Sequence, residues 1–487
     1  MQGYLSCVGK EKGLEMCGNY GIMGVEDIFG VNAIRGRFFM KKEVICVLLS
    51  FGVMITGLTS CKPFATKQDN TSANKNEGEI VNIYSWNTEF QGLYEKYASD
   101  LAEEHGVKVK FIINTNDHSA YQTNLDIALA EQKDAIDDDK VDIFLIEADY
   151  AGKYTKSDAV LDVQSDIGLT DADLQNQYPY TKDIVSVNNR LKAVSWQATP
   201  GLFAYRRSIA KEVLGTDDPE KVQKMLANWN KFDQVAEKMK QAGYFMLSGY
   251  DDSYRAFSNN VSSPWVKDKK IIIDDSIKAW ITQTKTYTEK GYNDKTTLWS
   301  PQWSKNQGPE GKVFGFFYST WGINFTLLGN SLADSEGEQK VGNGLYGDYA
   351  VCEGPKAYYW GGTWICGAKG SDNVPFIKDL MKRMTCDQDT MKKITMETQD
   401  FTNNKAAMDE IAKSDYQSAF LGGQNHIALF AEAAGKIDMS NTSDYDNDMN
   451  GDIQSAMIDY YNGKKSYEEA LAAFYEKALS RYPDLKK

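Results

Sequence analysis

The stretch from Ile80 to Ile146 constrains the fold more than any other. Ile80–Tyr84 is a short apolar run of strand type. Phe90, Leu93, Tyr94, Tyr97 and Leu101 follow at helical spacing, and Gly106 stops that helix. Val107, Val109, Phe111 and Ile113 then alternate with Lys108, Lys110 and Ile112 as a second strand. Tyr121–Gln132 reads as a helix, Asp134–Lys140 as an acidic loop and Val141–Ile146 as a third strand. The order β-α-β-α-β implies a parallel sheet with right-handed crossovers, and so an α/β fold. Ligands of such sheets sit beyond the carboxyl ends of the strands. Ser85, Trp86 and Asn87 stand there after the first strand, and Glu147, Asp149 and Tyr150 after the third.

Further along, Leu191–Arg207 approaches a Trp196-Gln-Ala-Thr-Pro-Gly201 break and leaves it as another strand. Trp229, Phe232, Val235, Ala236 and Met239 form one helix face, closed by Gly243. Ser276 is placed to cap a helix carrying Ile277, Trp280, Ile281 and Tyr287. Trp229 and Trp280 are therefore expected in the core. Phe245–Ser248 is strand-like and leads into Gly249-Tyr-Asp-Asp252. Val313–Gly322 is a buried strand ending in Trp321, and Tyr358–Gly367 is a strand with a Gly361-Gly362 break inside it. Trp265, Trp299 and Trp303 lie in irregular stretches, which normally run over the surface. Ser466-Tyr-Glu-Glu469 is a capping box, and the helix it starts turns Ala470, Leu471, Phe474, Ala478 and Leu479 inward.

The N-terminal region reads as an address. Met40-Lys-Lys-Glu43 precedes an apolar run, Val44–Gly57, and then Leu58-Thr-Ser-Cys61. That is the order of parts in a secretory signal. The run is shorter than the roughly 20 residues a bilayer span needs. Cys61 behind Leu-Thr-Ser resembles a bacterial lipobox. The resemblance implies that residues 40–60 are a lipoprotein signal peptide, that Cys61 is lipidated and begins the mature chain, and that the body sits at the outer face of the cell membrane. Residues 1–39 precede a normal signal start and read as an upstream extension; residues 61–78 are polar and read as a flexible tether.

With 54 basic against 68 acidic residues the net charge is −14, which argues against nucleic acid and against a polybasic membrane contact. Cys352, Cys366 and Cys386 read as small buried hydrophobes. His105, His118 and His426 are scattered, which argues against a histidine metal site. Asp446-x-Asp-x-Asn-Gly451 matches the start of a calcium loop, but Met457 stands where a bidentate Glu belongs, so the stretch is read as a polar loop. No metal and no cofactor are expected.

In order along the chain stand the lipobox, Val81–Trp86, Val141–Phe144, Ala204-Tyr-Arg206, Asn228-Trp-Asn-Lys-Phe232, Phe317–Gly322, Gly361-Gly362 and Gly463–Leu471. Together they resemble the extracellular solute-binding lipoproteins (family 1) of carbohydrate ABC transporters, the maltose-binding-protein-like periplasmic binding proteins, from about Glu79 to the C-terminus. The resemblance implies two α/β lobes joined by strands that cross a hinge. Lobe one would be 79–196 plus 364–402 and lobe two 200–360 plus 404–487. The crossings would be Trp196–Pro200, Trp360–Trp364 and the chain near Asn403, where Gly and Pro suit a hinge. It implies a monomer that holds a carbohydrate in the interlobe cleft and delivers it to the permease subunits of an ABC importer, without catalysis.

A sugar's C–H face stacks on aromatic rings, and its hydroxyl rim needs donors and acceptors in a dry cleft. Trp86, Trp196, Trp321, Trp360 and Trp364 stand at strand ends or breaks and are the expected platforms. Glu147, Asp149, Gln197 and Asp251 are the expected hydroxyl partners, with Asn87 and Gly361 beside them. The chain lacks a basic cluster for an anionic ligand. The alternatives are a binder of another solute, such as a peptide or polyamine, and an enzyme on the same fold. Thiamine-degrading relatives of this family carry a nucleophilic cysteine at the first crossing, and Ser195–Gly201 has none. A glycosidase would need two carboxylates at a set separation.

Overall fold

Five strands form the first sheet of the computed structural model, which describes residues 78–115 and 119–487. Residues 78–115 and 121–487 fold into one compact unit. The extension 1–39, the signal 40–60, Cys61 and all of the tether but Gly78 lie outside the described residues. Ile80–Ser85 pairs in parallel with Lys108–Ile113 on one side and Ile143–Glu147 on the other, as the β-α-β-α-β pattern requires. The expected single helix between the first two is broken into Glu89–Tyr97 and Asp100–His105, and Gly106 ends the second in the left-handed region. Thr363–Gly367 then lies antiparallel to Ile143–Glu147, and Val194–Ser195 completes the edge. Ile143 to Ile146 are fully buried, the pattern of a strand covered on both faces.

A second sheet is antiparallel throughout, with Gly201–Arg206 between Gly315–Ser319 and Tyr349–Cys352. Leu247–Gly249 and Asn293–Thr296 form a short parallel pair beside it. A further core is built on the helices Asp275–Lys290, Asp446–Tyr461 and Tyr467–Arg481. There Trp280 is fully buried, edge-on to Tyr254 at 4.7 Å and to Tyr461 at 5.8 Å. Trp229 is only partly buried and stacks on Phe257 at 4.1 Å. Asp274, rather than Ser276, caps its helix, accepting from the Ser276 amide at 2.8 Å.

The stretch read as a polar loop with a calcium-like start is the helix Asp446–Tyr461. A helix cannot wrap ligands at every second residue around one ion. Asn450 Oδ1 instead accepts from Tyr254 Oη and Trp265 Nε1, Asp452 pairs with Lys477 and Arg481, and Met457 is fully buried. Among the described residues no group of three His, Cys, Asp or Glu could hold a metal, and no helix is long and apolar enough to cross a membrane. Cys352 and Cys366 are buried and unbonded, and burial pushes the Cys352 thiol up to about 12.

The two sheets are joined where three segments run side by side. Ala198 N donates to Phe401 O at 3.2 Å and Asn403 N to Trp196 O at 2.7 Å. Gly201 N donates to Tyr358 O at 2.7 Å and Trp360 N to Thr199 O at 3.1 Å. Gly361 and Gly362 take φ of +74° and +108°, where a Cβ would be strained. The largest hydrophobic cluster continues through this junction, from Ile83 and Ile146 to Tyr318, Phe401 and Phe430.

The Ser466 capping box is present, with Ser466 Oγ accepting from Glu469 N at 3.1 Å and Glu469 accepting from Ser466 N at 2.8 Å. Ser466→Ala should therefore lower stability by about 1 kcal/mol, read as a lower midpoint in denaturant at unchanged slope. An unchanged midpoint would mean the cap contributes nothing.

Candidate functional site

Three indoles converge where the second sheet meets the crossing segments. Trp321 lies in the helical turn Thr320–Gly322 that follows the strand Gly315–Ser319, and Trp360 lies on a crossing segment. Their rings meet edge to face at 5.3 Å, and Trp321 Nε1 donates to Trp360 O at 3.1 Å. Trp299 adds a third ring, near-parallel to Trp321 at 6.1 Å and tilted to Trp360 at 6.0 Å. Trp299 is 38% exposed and has φ +68°, a conformation that persists in a non-glycine residue only when its surroundings enforce it. The enforcing group is Asp251, whose two oxygens each accept from Leu298 N at 3.1 Å. Burial, then the neighbouring Asp252, pushes Asp251 up to about 7.

Polar groups adjoin this wall. A Cβ on Gly361 would stand 3.2 Å from Trp321 Nε1 and 3.8 Å from Glu147 Oε1, so Glu147, Gly361 and Trp321 share one corner. Burial, then the charge of Asp149, pushes the Glu147 carboxyl well above the usual range. At the first crossing Gln197 Nε2 donates to Glu89 Oε1 at 2.7 Å and Asp400 Oδ2 at 3.1 Å. Glu89 is raised to about 7 by burial and then by Asp400, and Asp400 is raised by burial. Glu89 is also reached by solvent. The arrangement offers apolar ring face beside carboxyl oxygens, the two surfaces a polyhydroxylated ligand requires.

The family model for bacterial extracellular solute-binding proteins matches residues 96–420. The chain belongs to that family. Among solved structures, an extracellular solute-binding protein of family 1 is 17% identical with a TM-score of 0.68, covering 82% of this chain and 100% of its own. An ABC-transporter-associated binding protein from B. animalis subsp. lactis Bl-04, in complex with β-1,6-galactobiose, is 18% identical with a TM-score of 0.60, covering 84% and 98%. The galacto-N-biose/lacto-N-biose I-binding protein of Bifidobacterium longum is 13% identical with a TM-score of 0.62, covering 84% and 100%. At these identities the likeness is one of fold, the two-lobed periplasmic-binding-protein-like α/β architecture. No functionally curated protein matches the chain in sequence.

In this solute-binding protein the expected site residues divide. Trp321, Trp360, Gly361 and Glu147 come together. Trp86 is half-buried and edge-on to Tyr121 at 5.5 Å and Tyr150 at 6.3 Å, while exposed Asn87 caps the next turn, its Oδ1 accepting from Glu89 N. Trp196 and Trp364 are each 1% exposed and are core, not platforms. Trp196 stacks on Phe90 at 4.8 Å, Trp364 Nε1 donates to Thr181 O at 2.8 Å, and both indoles are shut off from solvent. Asp149 and Asp251 each hold a protein partner as well, Arg255 on both oxygens of the first and Leu298 N on both of the second. Gln197 is 3% exposed and ties Glu89 to Asp400. Trp299, Glu89 and Asp400 were not among the expected residues. Trp299 carried one signal, its irregular stretch; Trp265 and Trp303 shared that signal and are buried.

The raised Glu89 gives a pH test. Its carboxyl moves from 4.5 to about 7, so the folded state holds a proton that the unfolded chain releases between those values. The associated stability is fully present below about 4.5 and is lost as pH rises through about 7. Glu89→Gln keeps the neutral form at every pH. Wild type and variant should melt together near pH 5, and the variant should be the more stable at pH 8. A gap that does not widen with pH would mean that Glu89 keeps an ordinary carboxyl in the folded state.

Proposed function

We propose that this solute-binding protein captures a neutral mono- or oligosaccharide between its lobes and hands it to the permease subunits of an ABC importer. The observation that carries the reading is the Trp299–Trp321–Trp360 wall beside Glu147 and Gly361. A ring face at this corner suits a sugar's C–H surface, and the raised carboxylates suit its hydroxyls. The relatives crystallised with β-1,6-galactobiose and lacto-N-biose support a saccharide as the ligand class. We assign lobe one to 79–196 plus 364–402 and lobe two to 200–360 plus 404–487. The support is the pairing of 196–201, 358–360 and 401–403, which brings all three passages of the chain to one place. Packing departs from this boundary at one place, since Lys405–Ala412 rests on Gln388–Thr398 of lobe one, while His426–Ala434 rests both on Lys405–Ala412 and on the strand Gly201–Arg206 of lobe two.

Capture is favoured over catalysis by what stands at the first crossing. Ser195 is fully buried, its Oγ 2.7 Å from the carbonyl oxygens of both Gln197 and Thr363. Cys352 and Cys366 are buried, with thiols raised by burial, the opposite of an activated nucleophile. We further assign Cys61 as a lipid anchor that holds the protein at the outer face of the cell membrane.

Calorimetry with a panel of neutral sugars tests the function, with product analysis alongside. Trp321→Ala and Trp299→Ala should each weaken binding by about 1–3 kcal/mol, as stacking and apolar burial are lost. Full affinity in both variants would move the site elsewhere, and a released product would make the protein an enzyme. For the anchor, Cys61→Ser should appear in the medium or remain unprocessed. A variant still processed and retained by the membrane would overturn lipidation.

A further inference from the structure

Asp149 and Arg255 make a two-point charged connection between the two lobes assigned above. Asp149 follows the strand Ile143–Glu147, and Arg255 lies on the helix Tyr254–Ser258. The contact is bidentate, with Nη1 on Oδ1 at 2.8 Å and Nη2 on Oδ2 at 2.7 Å. The two side chains are 21% and 26% exposed, so the pair is partly withdrawn from water. Planar two-point geometry of this kind is among the stronger ionic contacts, and partial burial protects it from screening.

The surroundings make this one cation matter. Glu147 sits beside Asp149, and Asp446 faces the pair from the helix Asp446–Tyr461. That helix belongs to the body of Arg255, since its Asn450 accepts from Tyr254 Oη and Trp265 Nε1. Acidic groups of both lobes therefore converge on a single guanidinium. Burial alone would raise Asp149, but the charge and hydrogen bonds of Arg255 outweigh it and hold the carboxyl below its ordinary value. A second contact follows the same seam. Asp444 pairs with Lys156, and its carboxylate lies against Gly152.

We propose that the Asp149–Arg255 pair is an interlobe latch, which favours the closed arrangement before any ligand enters and so sets affinity without touching the ligand. The proposal rests on the lobe assignment. A ligand that binds the closed form has its apparent affinity multiplied by the fraction already closed. Without Arg255, the carboxylates of the two lobes face one another uncompensated and push the lobes apart.

The ligand-free protein is the object to measure. Arg255→Met should increase its radius of gyration in small-angle scattering, and Asp149→Asn, which preserves size and shape, should do the same. The exchange Asp149→Arg with Arg255→Asp should return the radius toward that of wild type, which lost packing alone would not. For any sugar that binds wild type, a tenfold fall in closed fraction should weaken the apparent affinity about tenfold. An unchanged ligand-free radius in folded Asp149→Asn overturns the latch, and that variant decides if Arg255→Met fails to fold. Expansion that the exchange leaves unreversed assigns the effect to packing and overturns it too. If no sugar binds, the saccharide reading fails while the scattering comparison still decides the latch.

Discussion

Backbone pairing at the crossing segments is the constraint on which the rest of this architecture depends. Residues 196–201, 358–360 and 401–403 are far apart in the chain, yet they exchange main-chain hydrogen bonds as neighbours. Each also continues into the candidate site. The first leads from Gln197, which ties Glu89 to Asp400. The second carries Trp360 and the glycine pair, and the third begins beside Asp400. Any displacement of one segment moves a wall of the candidate site. Polar groups are thereby held to a fixed geometry by buried hydrogen bonds rather than by flexible loops.

The first parallel sheet could be read because its signals are local. Ile80–Ser85, Lys108–Ile113 and Ile143–Glu147 carry their own apolar runs and their own stop at Gly106. The insertion of Thr363–Gly367 against Ile143–Glu147 could not be read, because strand pairing across more than two hundred residues leaves no periodic trace. The broken helix after Ile80–Ser85 is similar: Ala98 and Ser99 interrupt a spacing that by itself looks continuous. At Asp446 a ligand-like spacing of acids proved compatible with a helix, because buried Met449, Ile453 and Met457 fall on one face.

The candidate site was legible by half. Tryptophan at a strand end marks a place where the chain leaves the core, which found Trp321 and Trp360. The same signal chose Trp196 and Trp364, because sequence does not tell on which side of the junction an indole turns. Carboxylates fared similarly. Glu147 and Asp149 are two residues apart, yet burial and Asp149 raise the first at the tryptophan corner while Arg255 holds the second below its ordinary value. That division depends on a helix contributed from more than a hundred residues downstream. Asp251 acts at one remove, through the Leu298 amide that sets the turn of Trp299.

The close approach of Trp299, Trp321 and Trp360 also gives the molecule an optical signature of its own. Rings at 5.3–6.1 Å lie near enough for their excited states to mix. Their near-ultraviolet circular dichroism should then contain a split band that depends on mutual ring angle. A guest laid against Trp299 would alter that angle, so occupancy could be followed by polarised absorption without attaching any dye.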